Sequence, residues 1–142
     1  MMNKLITLLF VLMSSSLVAQ NWEVLAEDVD YRIEKTHIIC NSTQGYDYDY
    51  TVLNFENLSN QALELSFNME RWYNADYCHG CADGDHNTIR TLTIPANSSV
   101  TGTCSSSEDY LKIFDHSNTN VPTAWKSKLT ALVINKIESI KK

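Results

Sequence analysis

Apolar and polar residues alternate along most of the chain after its first twenty positions, the period of a β-strand with one buried face. Val29-Asp30-Tyr31-Arg32-Ile33-Glu34 alternates and Thr36 to Ile39 continues in β-favouring types, which predicts a strand over 29–39. Beyond the break Asn41-Ser42-Thr43-Gln44-Gly45, a second strand spans 46–55, with Tyr46, Tyr48 and Tyr50 on one face and Asp47 and Asp49 on the other. Leu63, Leu65, Phe67 and Met69, separated by Glu64, Ser66 and Asn68, give the most regular period-2 run, a strand over 63–70. Shorter β-branched or apolar runs predict strands over 88–94, 100–103 and 110–114, with Pro95-Ala96-Asn97-Ser98 as a turn between the first two.

The last segment fits two templates. Trp125, Leu129, Leu132, Val133, Ile137 and Ile140 trace a helical stripe, whereas Leu129, Ala131 and Val133 alternate as a strand. A strand over 129–137 follows six others and completes an antiparallel, all-β, immunoglobulin-like sandwich of about seven strands, the class expected where short strands recur without βαβ alternation. The strand–turn–strand units spanning 53–66 and 92–100 resemble those of small exported bacterial β-sandwich modules, immunoglobulin-like in the broad architectural sense. That resemblance implies a fold class and no activity, because it carries no catalytic motif and lacks the Cys…Trp…Cys spacing of antibody-type domains.

Residues 1–19 follow a different logic. Lys4 precedes the apolar run Leu5 to Met13, and Ser14 to Ala19 is a stretch of small residues, the order of a secretory signal peptide. The run is about half the roughly 20 residues a spanning helix needs, and no cysteine stands at the cleavage point for acylation. The expectation is a secreted or periplasmic chain, with 1–19 removed, 20–142 folding as one domain and no membrane span in the mature form. A hydrophobic fraction of 44% with only 4 Gly and 2 Pro supports a packed core and excludes collagenous and disordered classes.

Charge is distributed unevenly. Residues 20–39, 40–109 and 110–142 carry −3, −8 and +4, an acidic body with a basic tail, which argues against nucleic acid as a partner. All four cysteines lie in the exported part, where an even number reads as disulfides. Strand parity places Cys40 and Cys104 each at a strand end at one pole, and Cys78 and Cys81 are close enough to bridge within a turn. The expected pairs are Cys40–Cys104 and Cys78–Cys81; the alternatives, Cys40–Cys78 with Cys81–Cys104 or Cys40–Cys81 with Cys78–Cys104, would tie the long loop to both neighbouring loops. If consecutive strands are antiparallel, the 40–46, 72–87 and 104–109 connections share that pole, bringing together all the cysteines and much of the acidity.

Three chemistries compete for this pole. Asp83, Asp85 and Asn87, with His86 among them, offer oxygen ligands at alternate positions as at the opening of a calcium loop, but Thr88 and Ile94 stand where an EF-hand needs Gly and Glu. Cys78-His79-Gly80-Cys81 resembles the redox pair of thioredoxin-like enzymes, although Ala82-Asp83-Gly84-Asp85 starts a helix poorly and adds negative charge. Reduced Cys78 and Cys81 with His79 and His86 would suit zinc or copper, which an oxidising exterior disfavours. No His follows the pair at position 82, which excludes c-type haem attachment.

Elsewhere, Tyr46, Tyr48, Tyr50, Trp72, Tyr73 and Tyr77 offer aromatic faces suited to ligand contact, while His37 and His116 have no partner visible in the sequence. Asn41, Asn57 and Asn97 head glycosylation-type triplets. No Ser-His-Asp set, phosphate loop or metalloprotease helix is recognisable. The reading is a non-catalytic binding or structural module without a cofactor, with a protein or glycan at the cell surface or in the extracellular space as partner. A calcium, zinc or thiol–disulfide redox protein acting through the Cys78–Cys81 loop is the alternative.

Overall fold

A computed structural model describes residues 20–41, 47–81, 89–117 and 127–142. The leader segment, Tyr46, Asp83, Asp85, His86, Asn87 and Trp125 lie outside the described residues. Those described contain no helix and nine strands: β1 Glu23–Glu27, β2 Tyr31–Asn41, β3 Asp47–Asn57, β4 Leu63–Tyr73, β5 Tyr77–His79, β6 Arg90–Ile94, β7 Ser99–Thr101, β8 Lys112–Ser117 and β9 Leu129–Lys141. All pairings are antiparallel.

The five-stranded sheet runs β1–β2–β3, with β7 and β8 following one another along the free side of β3. In the four-stranded sheet β4 is central, with β9 on one side and β5 and β6 end to end on the other. The strand count is therefore nine rather than seven. β1 has no clean alternation to betray it, and β5 has only three residues after the tight turn at Asn74 and Ala75, both with positive φ.

A second correction concerns 104–109, expected to be a polar-end loop between opposed strands. β7 and β8 are both antiparallel to β3, so they run in one direction, as a single strand interrupted by an excursion over 102–111. The excursion leaves and rejoins at mid-strand: Gly102 N–H donates to the Leu53 carbonyl (2.8 Å) and Leu53 N–H donates to that of Leu111 (3.1 Å). Gly102 is required here, since a Cβ would lie 2.0 Å from the Leu111 carbonyl oxygen.

β9 shows why its sequence fitted two periods. Its pairing with β4 slips between Trp72 and Tyr73 and between Ser66 and Asn68, and Lys136 adopts φ 49° near the second slip. Each bulge adds a residue and resets strand parity, so Leu129, Leu132, Ile134 and Ile137 all reach the core at spacings that imitate a helix.

Alternation in β4 is regular, and Leu63, Leu65, Phe67 and Met69 are fully buried. With Ile33, Leu53 and Phe55 of the other sheet they form one core. Phe55 and Phe67 stack at 5.0 Å between centroids, and Tyr110 from the excursion meets both edge-on at 6.0 and 5.9 Å. Asn57, 1% exposed, ties two turns together: its amide donates toward the carbonyls of Gln61, Ile94 and Pro95 and its oxygen accepts from Ser59 N–H and Oγ. A residue so enclosed is no glycan acceptor in the folded protein.

The excursion is pinned at both ends. Cys104 is joined to Cys40, across a sequence separation of 64, and Asp109 takes two hydrogen bonds from Arg90 (Nε 3.0 Å, Nη2 2.5 Å), with Arg71 at 3.7 Å. These contacts reach the second sheet, since Arg71 and Arg90 belong to β4 and β6. The hydrogen bonds from Arg90 hold the Asp109 carboxyl below its ordinary value. The second disulfide joins Cys78 to Cys81 across a separation of only 3.

Two outcomes follow. The Cys40→Ser/Cys104→Ser pair loses about 2–5 kcal/mol in urea unfolding and Cys78→Ser/Cys81→Ser loses less, because a long loop constrains the unfolded chain more. Asp109→Asn costs about 1 kcal/mol near neutral pH, the exposed carboxylate being screened. A depressed folded value means the stabilisation is full above the unfolded carboxylate range and is lost as pH falls through the folded one. The gap between wild type and Asp109→Asn in urea melts is therefore constant from pH 5 to 8 and closes below about pH 4.

Candidate functional site

The inward face of the five-stranded sheet changes character along its length. Residues alternate, so the face that carries Ile33, Leu53 and Phe55 continues through Lys35, His37 and Ile39 on β2 and through Thr51 and Asp49 on β3, with Ile33 opposite Phe55, His37 opposite Thr51 and Ile39 opposite Asp49. Apolar residues fill the core end; polar ones occupy the other. There a cleft of about 590 Å³ opens between this face and Lys128–Leu132.

β8 completes the polar end through a bulge. Phe114 pairs with Tyr50 and His116 with Asp49, so Asp115 is the extra residue between them. The inserted residue turns both Asp115 and His116 toward the cleft, where a regular strand would alternate them. The hydroxyl of half-buried Tyr73 donates to the Phe114 carbonyl at 2.9 Å, supporting the bulge from the other sheet. Burial is the main cause of the raised Tyr73 ionisation, which keeps this hydroxyl a donor.

The polar side chains form a chain of alternating imidazoles and carboxylates. His116 Nε2 lies 2.8 Å from Asp49 Oδ2 and its Nδ1 lies 3.0 Å from Asp115 Oδ1. Asp115 Oδ2 lies 3.2 Å from His37 Nδ1 and accepts from Thr51 Oγ1 at 3.4 Å, and Thr51 Oγ1 is 3.3 Å from His37 Nδ1. Ionised carboxylates only accept, so both contacts of His116 are hydrogen bonds when both ring nitrogens carry hydrogen. Asp115 is 5% exposed, and its two oxygens are committed to three partners. His37, with a side chain 65% exposed, is the member open to solvent.

Thr51 and His37 do not make a nucleophilic triad. The hydroxyl and the carboxylate meet the same nitrogen, Nδ1, whereas a hydroxyl activated by histidine must face the nitrogen opposite the carboxylate.

The residues singled out in the sequence are dispersed. Tyr48 and Tyr50 lie on the opposite face of the five-stranded sheet, edge-on to each other and to Phe114 at 5.8–6.5 Å, with Lys112 Nζ 5.1 Å from the Tyr50 ring centroid. Tyr73 props the bulge and Trp72 is half-buried. Tyr77 is exposed and meets His79 edge-on at 4.7 Å. Tyr48, Tyr50, Trp72, Tyr73 and Tyr77 therefore form no common platform. Cys78 and Cys81 are joined to each other, so neither supplies a thiolate to a metal in this state. Both sulfurs lie within 4.8 Å of a Glu70 carboxylate oxygen, so these three side chains form a compact group of potential metal ligands.

Sequence reasoning noted His37 and His116 without a partner and missed Asp115, which both of them meet. One signal was present: Asp49 shares the parity of Leu53 and Phe55, so the strand that buries those two turns Asp49 inward as well. The bulge that recruits His116 has no local sequence signature. The chain matches no protein-family model, no curated protein and no solved structure.

Tyr73→Phe leaves the Phe114 carbonyl without its donor and lowers stability by about 1 kcal/mol in urea unfolding. Because burial raises the Tyr73 ionisation, its contribution is present below about pH 10 and lost as pH rises through the folded value. The difference between wild type and Tyr73→Phe therefore shrinks in strongly alkaline buffer.

Proposed function

We propose that this protein is an exported, non-catalytic binding module, its two sheets packed as an immunoglobulin-like sandwich, and that its ligand enters the cleft ending on Asp115. The observation carrying this reading is the Asp49–His116–Asp115–His37 chain. It gathers two carboxylates and two imidazoles, beside Lys35 and Thr51, at the mouth of the apolar core. Burying Asp115 costs free energy unless it is paired, and a position serving only stability is better filled by an apolar side chain.

Two disulfides with no free cysteine among the described residues suit an oxidising, extracellular environment. Among those residues no helix is long and apolar enough to cross a membrane. The leader-like order of 1–19 supports export through the secretory route.

The cleft lining favours a protein segment over a glycan. Ile39, Leu129 and Leu132 offer apolar wall, Lys35 and Lys128 offer cations, and among the described residues no Phe, Tyr or Trp ring lines the cleft for a sugar to stack on. A segment with an apolar side chain beside an acidic or hydroxyl group fits that combination.

Peptide display and a glycan array, both screened with the mature chain, test this reading. Peptide ligands are expected, with affinity at least about tenfold weaker for Asp115→Asn and for His37→Ala by calorimetry. Ligands that bind both variants as tightly as wild type would contradict the assignment of the cleft, and glycan ligands alone would contradict the choice of partner.

A further inference from the structure

The Cys78–Cys81 bridge differs from Cys40–Cys104 in the length of chain it closes and in the structure that supports it. Its sequence separation is 3 against 64, so it removes little freedom from the unfolded chain and is a weak staple. It sits on β5, a three-residue strand paired only to Arg71–Tyr73, where local opening is easy. Cys78 and Cys81 are both half-buried, whereas in the longer bridge Cys40 is buried and Cys104 exposed, so span and local support, not exposure, separate the two bridges. Gly80, at φ 85°, lies so close to β4 that a Cβ would stand 2.0 Å from the Met69 carbonyl oxygen, which holds the bridge against the strand bearing Glu70.

Glu70 is itself held in place. Asn135 Nδ2 donates to Glu70 Oε1 at 2.7 Å, and Asn135 Oδ1 accepts from Asn68 Nδ2 at 3.0 Å. Asn68 is 1% exposed and also donates to the Gly80 carbonyl at 2.9 Å, so one buried amide spans the carboxylate's support and the bridge's own turn. A carboxylate oxygen within 4.8 Å of both sulfurs opposes a thiolate at either one.

We infer that Cys78–Cys81 is a redox-exchangeable disulfide whose co-reactant is an external dithiol, with Glu70 as a positioning residue that sets thiolate reactivity in the reduced pair. This is independent of the cleft and its ligand. One thiolate of the dithiol attacks a bridge sulfur, forming a mixed disulfide and releasing the other cysteine as thiolate. The second thiolate of the dithiol then displaces the bound cysteine. The dithiol leaves as a cyclic disulfide, oxidised by two electrons, and Cys78 and Cys81 end as two thiols carrying the protons it gave up. Reoxidation runs the same steps backward.

The test uses the full mature chain in graded ratios of reduced to oxidised dithiothreitol, quenched with iodoacetamide and read by intact mass and peptide mapping. Two labels, at Cys78 and Cys81, are expected at ratios that leave Cys40–Cys104 joined and the far-ultraviolet dichroism unchanged. Opening of both bridges together, or no labelling short of unfolding, would overturn the inference. In the reduced Glu70→Gln protein, alkylation at pH 7 is expected to be about three- to tenfold faster and its pH profile to move to lower pH, through loss of the opposing charge. A Glu70→Gln profile that coincides with wild type would remove Glu70 from the account. Glu70→Asp, which keeps the charge, is expected to stay near wild type, and a rate as fast as that of Glu70→Gln would count against the charge effect in the same way.

Discussion

The contact between Phe55 and Phe67 constrains everything else in this protein. One ring comes from each sheet, they stack at 5.0 Å, and Tyr110 closes over both. Side chains alternate faces along a strand, so committing Phe55 inward commits Leu53, Thr51 and Asp49 as well. A register slip of one residue would turn the apolar set out and bring the tyrosines in. The polar cleft is thus the part of the inward face that lies beyond the apolar residues.

That constraint explains which features could be read in the sequence. Period-2 runs around Tyr31, Leu53 and Leu63–Met69 marked three of the four long strands, since burial of one face imposes the pattern directly. Features that break parity were hidden. The bulge at Asp115 recruits a histidine that alternation points away, and the two slips in β9 scatter its apolar residues into a helix-like spacing. The direction of β8 was equally invisible, because an excursion that leaves and rejoins one strand has the same length and polarity as a hairpin loop.

The candidate site was less legible than the fold because its members come from three strands distant in sequence. His37, Asp49 and the Asp115-His116 pair meet only through cross-strand register. The aromatic residues were conspicuous in sequence, yet Tyr48 and Tyr50 pack with Phe114 on the far face and Tyr73 serves the bulge. Chemical type alone identified neither role. The excursion joins the two accounts, since it covers the outer face through Cys104 and supplies both the third ring of the core and the Asp109 clamp.

A double-mutant cycle on Phe55→Leu and Phe67→Leu, read by urea unfolding, tests this dependence most directly. Rings in mutual contact across the sheets predict a coupling energy of about 0.5–1.5 kcal/mol beyond the two separate losses. Additivity to within about 0.3 kcal/mol would mean that the rings do not meet, and the register that builds both the core and the cleft would then be wrong.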